Sequence, residues 1–467
     1  MFDIRKTESD INNCFILKFL NSCLFFLQKI IPSGLKNSLI LSNLDYLIVV
    51  VCSLVFVSSL FVSSTIIGIF IWLSFALFLV KILLEEYRIR VDFLDVLILA
   101  WFFAMFLSTA FASLLPQSLW GLSKMITYLM FYCVMKHILS EDFRRGYYFI
   151  FLLCAVISFE SLYVIRQNFV GVEEISGWQD TSHLNAEQVL TRVYGTLKPF
   201  NPNLLAGYLL SGFPILAGGL FSLLKDKRYR MSFVVLLMLV CCALGILFSG
   251  CRGAYVALLA ELVVLFSVFS YFVWNDFRDK KYLKKIWIAS VLISILGVIF
   301  LVASSEALQA RIMSIFAMRE DSSNSFRMNV YQSSFRMFLD NFWVGIGIGN
   351  KVFREIYGLY MRSGFDALGA YSVFLETAVE TGIIGLSALL AFILFMIVSA
   401  VKSLGAKIVS FSDKILFVLV LVGIVGMMTH GFVDTIWFRP QIQVLFWFMS
   451  ALFVVVMNKN KEGKDAA

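Results

Sequence analysis

Polar segments divide the chain into apolar runs of about twenty residues, and that division constrains everything else. A helix rises about 1.5 Å per residue, so a run of this length matches the hydrocarbon thickness of a bilayer. Such runs lie at 44–62, 64–84, 93–114, 119–139, 146–165, 204–224, 231–249, 253–274, 286–304, 382–401, 414–435 and 439–457. With 60% hydrophobic residues over 467 positions, a water-soluble fold would expose large apolar patches, so lipid must be the solvent. The expected fold class is all-α integral membrane, with about twelve transmembrane helices.

The formal charge of +8 reads as membrane topology, not as nucleic-acid binding. Lys81/Arg88/Arg90, Lys136/Arg144/Arg145, Lys225 to Arg230, Lys280 to Lys285, Lys402/Lys407/Lys414 and the Lys-rich C-terminal tail occupy alternate connections. Together with Arg5, Lys6, Lys18, Lys29 and Lys36 they place about 26 of the 39 basic residues on one side. Both termini are therefore expected to be cytoplasmic, in a multi-pass protein of the inner (plasma) membrane whose constant partner is the bilayer. Nucleic acid is not an expected partner.

The expected organisation follows from these boundaries. Residues 1–43 form a cytoplasmic segment without a cleavable signal, and Cys14 to Leu27 reads as an interfacial helix. Transmembrane helices 1–5 occupy 44–165, an extracytoplasmic loop 166–203, and helices 6–9 residues 204–304. A large extracytoplasmic loop with short helices follows at 305–381, between helices 9 and 10. Helices 10–12 take 382–457, and a cytoplasmic tail takes 458–467. The first loop is mildly acidic (Glu173, Glu174, Asp180, Glu187). In the second, Met328, Tyr331, Phe335 and Phe338 recur as one helix face. Loops this long with their own periodicity are usually functional. Matching broken helices in two halves, the mark of inverted-repeat transporters, are not evident.

The chemistry-bearing residues gather on the expected outer side. Asn201 and Pro202 make a sound helix start, where free N–H groups beside Arg192 and Lys198, with Asn203 in the first turn, offer either an anion site or plain capping. Ser249-Gly250-Cys251-Arg252-Gly253-Ala254 joins two spans in a tight hairpin, where Arg252 either anchors to lipid headgroups or, as the flanking glycines favour, faces inward. The large loop adds Arg311, Arg319, Arg327, Arg336, Arg354 and Arg362, suited to bidentate contact with phosphate, carboxylate or bicarbonate. The run Gly345-Ile346-Gly347-Ile348-Gly349 lacks the strand–helix context of a nucleotide loop. Glu376 and Glu380 share a helix face, as do His430 and Asp434 just before Arg439, and these four are the catalytic candidates. Lys124, Glu160, Glu261 and Asp434 are ionisable groups within spans, and Glu160 and Glu261 are candidates for coupling. The eight cysteines are scattered, with Cys251 near the outer face and without a neighbouring partner. Neither a metal nor a cofactor is expected.

A twelve-helix chain with Asn201-Pro202-Asn203-Leu204 through Ala206-Gly207, the Ser249–Ala254 hairpin and a long loop returning through Glu380-Thr381-Gly382 resembles the O-antigen ligase/polymerase superfamily. Ala370-Tyr371-Ser372-Val373 through Ala378 to Gly382, and His430 to Thr435 through Arg439-Pro440-Gln441, are closer to the IctB-type bicarbonate transporter family. The resemblance spans roughly 185–450. It implies an anion held by Arg192, Asn201, Asn203, Arg252, Arg327, Arg336, Tyr371 and Arg439 at the outer face. Where ligases carry His-Asn, this chain has Tyr371-Ser372, and residues 305–381 contain no His. The IctB-like segments imply bicarbonate transport in inorganic-carbon accumulation. The alternative is a GT-C-like ligase or polymerase that transfers a polyprenyl-diphosphate-linked glycan to an acceptor.

Overall fold

The computed structural model describes residues 4–30, 43–85, 87–172, 189–275, 279, 281–317, 321–406 and 409–465. Lys36, Glu173, Glu174, Asp180, Glu187, Lys280, Arg319 and Lys407 lie outside the described residues.

Among the described residues every regular element is helical. Helices α1 (Ile4–Asn12) and α2 (Phe15–Ile30) precede α3 (Leu44–Ser58), α4 (Ser64–Leu84), α5 (Phe93–Ala110), α6 (Leu115–Glu141) and α7 (Arg144–Val170). Next come α8 (Pro202–Lys225), α9 (Tyr229–Phe248), α10 (Arg252–Asn275) and α11 (Lys281–Ala303). The large loop folds into α12 (Glu306–Met313), α13 (Ser322–Asp340) and α14 (Asn350–Tyr357). The chain ends with α15 (Val373–Gly405), α16 (Phe411–Gly431), a 3₁₀ turn at Ile436–Phe438 and α17 (Pro440–Asp465). Each apolar run of the sequence is thus a helix, and ten of them are long and apolar enough to cross a membrane. Of the other two, α3 has only 15 residues. Helix α6 is long but diluted by Lys124, Lys136, Ser123 and its tyrosines.

The helices differ sharply in how much neighbour they have. Within their most apolar stretches, α16 and α17 are 83% and 94% buried, whereas α11 is 0% buried. The first two are central posts. The last is a peripheral helix that lays its whole apolar surface open to lipid. Helix α16 packs on α8, α10 and α15, and α17 packs on α6. Trp101, Trp437 and Trp447 fill the centre, their ring centroids 5.9 and 6.4 Å apart along the stack.

The end of the bundle opposite the large loop is tied by compensated charge. Lys81, 1% exposed, bonds to Asp45 and Glu141, and Arg145 adds a second contact to Asp45 at 2.7 Å. Lys136 lies between Asp92 and Asp95. A cation in apolar surroundings is tolerable only with such partners.

At the loop end the expected helix break is present, but as a kink. Gly382, at φ 64°, interrupts α15. The glycine run supplies what the kink leaves unpaired. Ile346 N–H donates to Val379 O at 3.0 Å, Gly347 N–H to Glu380 O at 3.2 Å, and Ile383 N–H to Phe342 O at 2.7 Å. A Cβ at Gly345 would collide with the Glu380 carbonyl, so the run is a backbone seam between loop and span.

Two sequence expectations change in detail. Helix α13 exists, but its buried face is Asn329, Val330, Ser333, Ser334, Met337 and Phe338, while Phe335 is 52% exposed. The small Ser333 and Ser334 let α13 lie close to α15, which rotates the buried face away from the larger side chains. Lys124 is exposed and sits over the Trp120 ring at 5.8 Å, so it is not a buried intramembrane charge.

Candidate anion-binding site

The Ser249–Ala254 segment is the tight hairpin that its small residues imply. Only three residues separate α9 from α10, and Gly250 takes φ 64°. Gly253 has a packing reason as well: a Cβ there would lie 2.6 Å from Val433 Cγ2 and 2.9 Å from His430 Cδ2. The hairpin therefore brings the start of α10 against the end of α16. It turns Arg252 inward, leaving it 8% exposed.

A cavity of about 160 Å³ opens there, lined by Arg192, Asn201, Asn203, Cys251, Arg252, Gly253, Arg311, Ser323, Arg327, His430 and Asp434. Four guanidiniums meet two carboxylates. Arg252 donates to Asp321 at 3.0 Å and to Ser314 O at 3.1 Å, and Asp321 in turn accepts from Asn324 N–H as the N-cap of α13. Arg311 Nε donates to Gly250 O at 2.7 Å. Arg192 Nε donates to Ser249 O at 2.8 Å and its Nη2 to Asn203 Oδ1 at 2.6 Å. Asn203 Nδ2 passes the chain on to Asp434 at 2.9 Å, which also accepts from Arg327 at 3.4 Å and from the N–H groups of Thr435 and Ile436.

The electrostatics record this crowding of like charge. Burial, followed by Arg192 and Arg252, brings the Arg311 guanidinium down to about 10. Burial, with Arg252 and Arg327 close by, lowers Arg192 too. Asp321 moves the other way. Burial works against its charge, but the hydrogen bond from Arg252 outweighs that and holds it below its ordinary value. Among the described residues, four guanidiniums and one carboxylate line the cavity, an arrangement suited to holding an anion.

His430 and Cys251 form the reactive-looking pair. His430 Nε2 and Cys251 Sγ are 3.4 Å apart, within hydrogen-bonding reach although 179 residues separate them in sequence. Burial alone would raise the Cys251 thiol, yet His430 and Arg192 bring it below its ordinary value. This partner replaces the expectation that Cys251 stands alone. His430 and Asp434 do not share a helix face, because α16 ends at Gly431 and Asp434 lies in the following turn. Both nevertheless line the cavity.

The remaining site candidates separate into other roles. Asn201 caps α8, accepting from Asn203 N–H at 2.7 Å and Leu204 N–H at 3.4 Å, while its side of the cavity stays lined by both asparagines. Glu376 accepts from Ala370 N–H and Glu380 from Gly349 N–H, each at 2.8 Å, so these carboxylates clasp the returning loop and are not cavity residues. Tyr371, at φ 51°, has its ring 5.7 Å from the Arg327 guanidinium, and its carbonyl accepts from Tyr331 Oη at 3.1 Å. It stands behind Arg327, outside the lining. Arg336 is exposed on α13, and Arg439 lies near Lys124; neither reaches the cavity.

Glu160 accepts from Thr196 N–H at 2.8 Å and Thr196 Oγ1 at 2.7 Å. With Gln167, which accepts from Gly195 N–H, it anchors the segment that carries Arg192. Glu261 is buried against Gly426, and its carboxylate has no hydrogen-bond partner among the described residues. Sequence reasoning left out Cys251 and Ser323 and did not single out Arg311 from the other loop arginines. The only sequence signal for Cys251 was its place beside Arg252.

Residues 235–390 match the O-antigen ligase family model, Wzy_C. The match covers the hairpin, the large loop and the kink at Gly382, and with them Arg252, Arg311 and Arg327. Arg192, Asn203, His430 and Asp434 reach the same cavity from outside the matched segment. No curated protein matches the chain. The chain is a multi-pass membrane protein with an O-antigen ligase-related segment.

Proposed function

We propose that the chain binds the diphosphate of a polyprenyl-linked glycan in the arginine cavity, at the extracytoplasmic face, and joins the glycan to an acceptor hydroxyl. The observation that carries this reading is the surplus of guanidiniums over carboxylates around one cavity, most of it inside the ligase-related segment. A diphosphate spreads its charge over several oxygens and suits several planar donors at once. A bicarbonate monoanion would leave much of that positive charge unpaired.

The transfer balances with residues at hand. The bond between the sugar anomeric carbon and the phosphate oxygen breaks, and the electron pair leaves with the diphosphate. A bond from the acceptor oxygen to that carbon forms, and the acceptor proton passes to His430. Arg192, Arg252, Arg311 and Arg327 stabilise the charge that develops on the leaving group. His430 then takes the part that the absent loop histidine leaves open. Asp434 already accepts four hydrogen bonds and serves as the post that holds Asn203 and Arg327.

The test is complementation of a strain deleted for the gene, read as surface-glycan profile and as bicarbonate uptake into proteoliposomes. Wild type restores the glycan, while Arg252→Ala and His430→Ala do not. Arg252-dependent bicarbonate uptake with an unchanged glycan profile would replace this reading with the transport one, which the IctB-like segments imply.

A further inference from the structure

A second cavity is larger than the arginine site. A space of about 800 Å³ opens at the opposite end of the bundle, among α1, α4, α5, α6 and α17. Its lining is graded. Phe75, Phe78 and Ile82 run down one face of α4, Ile98 and Leu99 continue on α5, and Leu129 lies three turns below the rim on α6. At 1.5 Å per residue these walls reach roughly 10–15 Å inward. The rim is charged, with Arg88, Arg90, Lys136, Lys459 and Lys461 against Glu8, Asp92 and Asp95.

Most of the rim charge is already used. Lys136 pairs with Asp92 and Asp95, Lys461 with Glu8 at 2.8 Å, and Lys459 with Asp413 at 2.9 Å. Among the described residues Arg88 and Arg90 have no carboxylate partner, and both are exposed.

These two arginines are also held in place. Asn12 Nδ2 donates to Val91 O at 2.9 Å and its Oδ1 accepts from Val91 N–H at 3.0 Å. Asn21 treats Ile89 in the same way, at 3.1 and 2.7 Å, and Gln28 donates to Tyr87 O at 3.2 Å. Pairing alternate residues is the pattern of an extended segment, in which neighbouring side chains point to opposite faces. Arg88 and Arg90 therefore project together. Helix α2, which carries Asn21 and Gln28 of this ladder while α1 carries Asn12, buries Leu17 and Leu24 but leaves Phe15 81% and Ile16 68% exposed, as a helix lying on lipid would.

We propose that this cavity is a binding site for an anionic phospholipid, with its phosphate on Arg88 and Arg90 and one acyl chain between α4, α5 and α6. An apolar shaft that ends in two unpaired, fixed cations at a membrane face is complementary to such a lipid. A zwitterionic lipid would bring its own ammonium against the same arginines. The inference is independent of what the arginine cavity at the other end binds.

The test uses the full chain in phosphatidylcholine vesicles carrying a trace of diazirine-acyl phosphatidylglycerol or diazirine-acyl phosphatidylcholine, with cross-linked peptides mapped by mass spectrometry. The phosphatidylglycerol probe should label peptides spanning 75–99 and 129–140, several-fold above the phosphatidylcholine probe. Arg88→Ala with Arg90→Ala should cut that labelling roughly tenfold. Leu129→Trp, which fills the shaft, should cut it with the arginines intact, and unchanged melting temperatures identify folded variants. Both arginines are exposed, so their double variant keeps the test decisive if Leu129→Trp fails to fold. Equal labelling by the two probes, labelling spread evenly over α9 and α11, or labelling that survives the arginine substitutions would overturn the proposal. Loss of labelling on adding millimolar glycerol phosphate would also overturn it, because the site would then recognise a free phosphate.

Discussion

The two ends of this bundle solve the problem of charge near a membrane in opposite ways. At the end away from the large loop, Lys81 is met by Asp45 and Glu141, and Lys136 by Asp92 and Asp95. At the loop end Arg192, Arg252, Arg311 and Arg327 converge on a cavity where, among the described residues, Asp434 is the one lining carboxylate and Asp321 pairs with Arg252. Compensated charge makes structure, because removing one partner strands the other in low dielectric. Uncompensated charge costs folding energy, and its persistence points to a ligand that completes it. The buried ion pairs of the first end are a brace, and the arginine cavity of the second is a receptor.

That contrast can be broken by substitution, and the largest effect should come from the brace. Lys81→Met leaves Asp45 and Glu141 facing each other. It should cost about 3–5 kcal/mol in denaturant unfolding, without changing anion affinity at the loop end. Next in size, Arg252→Gln should weaken binding of a polyprenyl diphosphate about ten- to a hundredfold in a titration, with Arg252→Lys recovering only part because the planar fork is lost. Comparable loss of binding from Lys81→Met would erase the distinction between the ends.

Gly253→Val should press on Val433 and His430. A stability loss of about 1–2 kcal/mol is expected, with transfer rate falling more than donor affinity if His430 acts on the acceptor. Smallest, Asn21→Ala should cost about 1 kcal/mol or less, seen as faster amide exchange at Ile89 and not at Val91, which Asn12 holds, or at the arginine cavity.

The helices were legible because lipid imposes one rule along the whole chain: about twenty apolar residues, then charge. The hairpin was legible for a similar reason, since Ser249 to Ala254 leaves no room for a loop. Arginine convergence was only half legible. Arg192, Arg252 and Arg327 stood out on the outer side, but so did Arg336 and Arg439, and no local pattern separates the side chains that reach the cavity from those that do not.

The pairing of His430 with Cys251 was out of reach, because it depends on α10 and α16 meeting at Gly253. Glu376 and Glu380 show the converse limit. Two carboxylates on one helix face read as acid–base chemistry, yet each is spent on a backbone N–H of the returning loop. Helix periodicity states which face a residue shares. It does not state what that face meets.

The most direct test of the receptor reading is a structure of the full chain with a polyprenyl diphosphate bound. The account predicts the two phosphates among Arg192, Arg252, Arg311 and Arg327, with the sugar-bearing oxygen towards His430. Phosphates seated elsewhere, with the arginine cavity unchanged and Arg252→Gln binding the lipid as tightly as wild type, would contradict it.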